Sequence, residues 1–138
     1  MTPAKLLLLL CFHGISLLAM AQPVVRYEVV IDEIMADPSP QVGLPNAEFI
    51  ELKNVSGRDL NLSGWRLSTS SATSGAFPNY TFPADSFLII TSTSNAAFFN
   101  AFGRVLGIPS FPSLPNDGTL LSLASREGVT IHAINYSV

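Results

Sequence analysis

Asp32, Glu33, Asp37, Glu48 and Glu51 form the densest group of chemically capable side chains in the sequence. Carboxylates bind Ca²⁺ when several of them converge with carbonyl oxygens at about 2.3 to 2.6 Å. The Asp37-Pro38-Ser39-Pro40 loop lies between the two segments that carry the others, so Asp37, Glu48 and Glu51 are the residues that would hold such an ion. Two features weigh against it: no Asp-x-Asp-x-Asp loop occurs, and strand neighbours such as Asp32 and Glu33 point to opposite faces. The expectation is therefore no cofactor and no resident metal, with Glu33 and Glu51 hydrogen-bonded to loop backbone and the rest solvated. A Ca²⁺-dependent carbohydrate or surface-polymer binding module is the alternative this group keeps open.

Catalysis finds little support in the same residues. Glycoside cleavage needs two carboxyl groups about 5 to 9.5 Å apart across a cleft, and Glu48 and Glu51, three apart on a strand, face opposite sides of a sheet. Nucleophilic catalysis would have to use His132, the sole histidine after residue 21, and no Gly-x-Ser-x-Gly turn is present. No catalytic residue is assigned, and the chain is read as a non-enzyme. Among aromatics, Trp65 follows Ser63-Gly64 and alternates with Leu67, the position of a sandwich core anchor. Phe77, Tyr80 and Phe111 lie on loops or strand starts and are the candidates for a contact surface. Sequons begin at Asn54, Asn61, Asn79 and Asn135 and are attributed to chance in a chain rich in Ser, Thr and Asn.

The elements that position these residues begin with an export signal. Lys5, the apolar run Leu6 to Leu18 and Ala19-Met20-Ala21 give the three regions of a cleavable signal peptide over residues 1–21, with the mature chain starting at Gln22. The run is about 15 residues long against the ~20 of a membrane span, so no transmembrane segment is expected after cleavage. Cys11 lacks the small residue before it that lipidation would use. Cleavage removes this only cysteine, so residues 22–138 hold no disulfide and rely on packing in one domain. They carry six Arg or Lys, scattered, against ten Asp or Glu, which disfavours nucleic acid as a direct partner.

Short runs dominate from Tyr27 onward: 27–34, 49–53, 59–63, 65–69 and 87–91, then 119–124 and 129–136 as a hairpin around Ser125-Arg126-Glu127-Gly128. Leu60 and Leu62 alternate with Asp59, Asn61 and Ser63, as on a half-buried sheet. Ser94 is placed to cap one short connecting helix through Phe98 and Phe102, four apart on one face, with Gly103 ending it. Pro109, Pro112 and Pro115 make 107–118 an irregular loop. Val138 stops directly on a strand-like run, which reads as a chain lacking its C-terminal end.

The segments Val30-Ile31-Asp32-Glu33-Ile34-Met35-Ala36-Asp37-Pro38, Glu48-Phe49-Ile50-Glu51-Leu52-Lys53-Asn54 and Leu60-Asn61-Leu62-Ser63-Gly64-Trp65-Arg66-Leu67 resemble the lamin tail domain family. The likeness extends over 22–138, and the insertion from Asn95 to Asn116 is similar to the version carried by secreted bacterial proteins. The resemblance implies an all-β, immunoglobulin-like β-sandwich, and a non-catalytic module that accompanies exported hydrolases, phosphoesterases, nucleases or adhesive surface proteins. Members usually continue past the Tyr136 strand with an aromatic segment and a closing strand. The expected role is attachment or substrate positioning in a longer secreted or surface protein. Other domains of that chain, or a cell-surface partner, would meet loops 35–47, 70–79 and 107–117.

Overall fold

Runs of β-branched and aromatic residues interrupted by Gly, Asn and Pro favour extended backbone over helix, and that is what forms. The computed structural model describes residues 22–137; residues 1–21, where a signal peptide is expected, and Val138 lie outside the described residues. Nine strands follow one another: β1 Val29–Met35, β2 Phe49–Asn54, β3 Leu60–Asn61, β4 Arg66–Ser68, β5 Thr81–Phe82, β6 Phe87–Ser92, β7 Val105–Ile108, β8 Thr119–Ala124 and β9 Thr130–Tyr136. They make a four-stranded sheet in the order β1-β2-β6-β7, a three-stranded sheet β4-β8-β9 and the small pair β3-β5. The architecture is all-β and consistent with an immunoglobulin-like sandwich.

Alternation on β2 and β6 decides what lies between the sheets. Ile50, Leu52, Leu88 and Ile90 are fully buried and join Leu67, Leu121, Leu123 and Ile131 of the other sheet, with Trp65 beside them at 2 % exposure. Each such side chain contributes roughly 1.5 to 3 kcal/mol by leaving water, which suits a sandwich without cross-links. The residues in between point outward. Phe49 and Ile89 form a second, smaller core on the outer face of the first sheet, covered by Ala47 and Phe99.

The expected helix around Phe98 is instead a 3₁₀ turn, Ala96–Phe99. Ser94 does not cap it: its hydroxyl is taken by that of Ser92 at 3.0 Å, and Asn95 stands at the cap position without a side-chain bond. The turn belongs to a crossover, for β7 runs parallel to β6, and a parallel neighbour needs about a dozen connecting residues. The last two residues of β7, Gly107 and Ile108, lie in the segment expected to be an irregular loop. Gly107 makes the packing feasible, since a Cβ there would lie 2.9 Å from the Thr93 Cα and 3.0 Å from the Ala96 Cβ. The 109–118 remainder is irregular, as its prolines require.

Strand ends are set by local bonds. Tyr27, with φ 67°, is outside β1, and the Asn61 Oδ1 accepts the Ser63 N–H at 2.7 Å, stopping β3 after two residues. At the end of β2, buried Asn54 ties three segments together. Its amide nitrogen lies 2.8 to 3.0 Å from the carbonyl oxygens of Arg58, Phe82 and Pro83, and its Oδ1 accepts from the Ser56 N–H and hydroxyl. Such burial excludes Asn54 as a glycan acceptor in the folded chain.

Candidate functional site

The acidic group is organised by a bulge. Pairing of β1 with β2 slips between Ile31 and Glu33, and the inserted residue lets Asp32 and Glu33 both be exposed. Strict alternation, which would separate them, therefore fails at this point. Glu33 stands opposite Glu51, whose carboxyl is pushed up first by burial and then by the charges of Glu33 and Asp32. Lys53 gives no relief, for its ammonium sits over the Phe87 ring at 4.8 Å. Glu33 and Glu51 thus form a like-charged surface rather than bonds to loop backbone.

Asp37 and Glu48 are elsewhere. The Asp37 Oδ1 accepts the Ser39 N–H at 3.2 Å in a local turn. Both Glu48 oxygens lie 3.3 Å from the Leu114 N–H, anchoring the proline-rich loop. Burial raises the Glu48 carboxyl, with the bonds from Leu114 and Ser113 opposing. Hence Asp37, Glu48 and Glu51 do not share a site, and among the described residues no three His, Cys, Asp or Glu side chains are grouped to hold a metal.

Of the aromatic candidates, Phe77 needs correction. Phe77 is 2 % exposed and is core; its N–H donates to the Trp65 carbonyl. Tyr80 and Phe111 are half-buried against the same core, and burial raises the Tyr80 hydroxyl. These loop aromatics plug the sandwich. The exposed large apolar side chains include Val42 (82 %), Phe98 (62 %) and Phe102 (48 %). Phe98 and Phe102 border a shallow recess of about 440 Å³ with Gln41, Pro45 and Asn46. Phe102 is braced edge-on by Phe99 at 6.4 Å, and Phe99 by Phe49 at 5.2 Å. The four-residue spacing of Phe98 and Phe102 was the signal that could have found this surface.

His132 joins the two sheets. Its Nδ1 accepts the Ile31 N–H at 3.1 Å, while the Tyr27 N–H donates to the Ile131 carbonyl at 2.8 Å. Tyr27 approaches the imidazole edge-on at 6.1 Å, and Arg26 stacks on Tyr27. An accepting Nδ1 must be unprotonated, and burial lowers the His132 pKa. The folded chain then binds fewer protons than the unfolded one, so stability falls as pH drops below about 6.5. Protonation also breaks a bond worth about 1 kcal/mol. Urea midpoints of the wild type and His132→Gln, compared at pH 7.5 and 5.5, should show the wild type losing more; parallel losses would assign the slope to other groups.

A wider cleft of about 640 Å³ opens at the start of the described chain, lined by Val24, Arg58, Asn61, Arg126 and others. Arg58 pairs there with Glu28 at 2.9 Å and donates to the carbonyls of Gln22 and Pro23. This arrangement fastens the lead-in segment to the sandwich.

No curated protein matches the chain. A family model described as Lamin Tail Domain matches residues 24–137, a span that takes in all nine strands. With both sheets and their shared core inside that match, the chain belongs to the lamin tail domain family, whose members are immunoglobulin-like, non-enzymatic modules.

Proposed function

We propose that this chain is a non-catalytic attachment module of an exported protein, and that it holds a protein partner on the surface made by loop 37–46 and the 3₁₀ turn. The partner would be another domain of a longer exported chain or a cell-surface protein. The observation that supports this reading is the exposure of Val42, Phe98 and Phe102 on segments held to the first sheet, the turn by Phe99 on Phe49 and the loop by Leu44 packed against the same cluster. Apolar side chains presented together by loops on a fixed scaffold are how such folds make contacts.

Phe98→Ser with Phe102→Ser tests it. Both side chains are largely outside the core, so the melting temperature should fall by only a few degrees. Retention of the exported protein on cells, measured against the amount in the medium, should drop about tenfold, the loss of one or two well-packed aromatic contacts. Unchanged retention by a folded double variant would remove the surface from consideration. The recovered protein should begin at Gln22.

A further inference from the structure

The surface at Phe98 and Phe102 does not end at the apolar recess. Phe102 is also a wall of a second recess, of about 460 Å³, which it lines with Glu51, Asp85, Phe87, Gly103 and Arg104. Phe87 is exposed like Phe102. Two recesses therefore share one aromatic side chain. The first is apolar, and the second is bordered by two phenylalanines and two carboxylates.

Strand pairing explains why negative charge gathers there. Glu51 lies opposite Ile89 on β6 and opposite Glu33 on β1. Ile89 belongs to the small outer core, so Glu51 stands where that core gives way to charge. Its half-buried carboxyl feels Glu33 and Asp32, which with burial raise its pKa. The nearby cations are engaged elsewhere. The Lys53 ammonium rests over the Phe87 ring at 4.8 Å, and the Arg104 charge is felt by the Tyr80 hydroxyl, which it lowers against burial. Among the described residues the one ion pair is Glu28–Arg58. Lys53 also demonstrates the chemistry of this face, for a cation is drawn to the negative face of an aromatic ring.

Building on the attachment role proposed above, we infer that the partner presents an extended segment with an arginine in this second recess and, two residues away, an apolar side chain in the first. Residues two apart on an extended segment share a face at roughly 6.6 Å, a step that straddles one aromatic side chain. Phe102 then touches both partner residues. A guanidinium suits the recess better than an ammonium: it is planar, stacks on a ring, forks onto a carboxylate and is more weakly hydrated. The apolar contact supplies area, and the charge at Glu51 selects the partner.

The probe is the capped tripeptide acetyl-Leu-Ser-Arg-amide, titrated into the exported protein while backbone amide shifts are followed by NMR. Shifts should appear at Glu51, Phe87 and Gly103 together with Phe98. The citrulline counterpart, similar in shape but uncharged, should bind about tenfold more weakly and move Phe98 alone. Glu51→Gln should bring the arginine peptide down to the citrulline level and leave the citrulline peptide unaltered. Because it removes a crowded charge, this variant should melt no lower than the wild type. Equal binding of the two peptides, or unmoved amides at Glu51, Phe87 and Gly103, would overturn the inference. Retention on cells separates it from the attachment role. Full retention of Glu51→Gln with loss in the Phe98→Ser, Phe102→Ser double variant would leave attachment standing and remove the arginine. Full retention of the double variant would remove both.

Discussion

Asn54→Asp should lower the unfolding free energy by about 4 kcal/mol at pH 7, moving the urea midpoint down by about 2 M for a slope near 2 kcal/mol/M. The substitution preserves shape and changes only what the side chain offers. In the wild type the amide nitrogen serves the carbonyls of Arg58, Phe82 and Pro83, and the side chain is fully buried. A carboxylate there would face three acceptors with no proton to give. Its pKa would rise in the folded state, so the folded variant would bind more protons than the unfolded one, and stability would fall as pH increases above about 3.9. The variant should accordingly lie closer to wild type at pH 4 than at pH 7. A uniform deficit at both values would mean that Asn54 acts through packing, not through its donors.

Gly118→Ala should cost about 3 kcal/mol, measured as a fall in melting temperature of roughly 10 to 20 °C. Gly118 has φ +100° and precedes β8, with its N–H bonded to the Pro115 carbonyl at 3.0 Å. A Cβ there would collide with the Tyr136 carbonyl oxygen and approach the Ser137 Cα to 2.8 Å. Both are backbone atoms, so relief requires β9 to move. Gly43→Ala is the comparison: φ is +74° but nothing lies within 4 Å of the added carbon. It should cost only about 1 to 2 kcal/mol, the conformational part alone. Equal effects at the two positions would show that the Tyr136 contact is unimportant.

Alternating segments were legible in the sequence because their pattern is local. Leu60, Leu62, Trp65 and Leu67 are buried as their spacing requires, and the β8–β9 hairpin forms around the turn that the Gly128 segment marks. What escaped depends on partners remote in the chain. β7 was missed because a four-residue run containing Gly107 becomes a strand only beside β6. The bulge at Asp32 cannot be seen in β1 alone; it is a property of the pairing with β2. Phe77 looked like a loop aromatic, but its loop folds back over Trp65 and takes it inside. Asn54 reads in the sequence only as a sequon at the end of a strand run, and the arrival of Phe82 of β5 and of Pro83 after it makes it a hub.

The fastening of β9 to the β1 side has a mechanical meaning. Tyr27 meets Ile131 at one end of the sandwich. Tyr136, at the far end of β9, reaches the Pro115 carbonyl with its hydroxyl at 3.0 Å. The described chain therefore enters near one pole and leaves near the other, about 20 Å away for a strand of this length. A pull between the two poles loads the Tyr27–Ile131 and Ile31–His132 bonds, the links that join the β1 side to β9 across the two sheets. A fold loaded across both bonds at once resists tension better than one peeled open from an end.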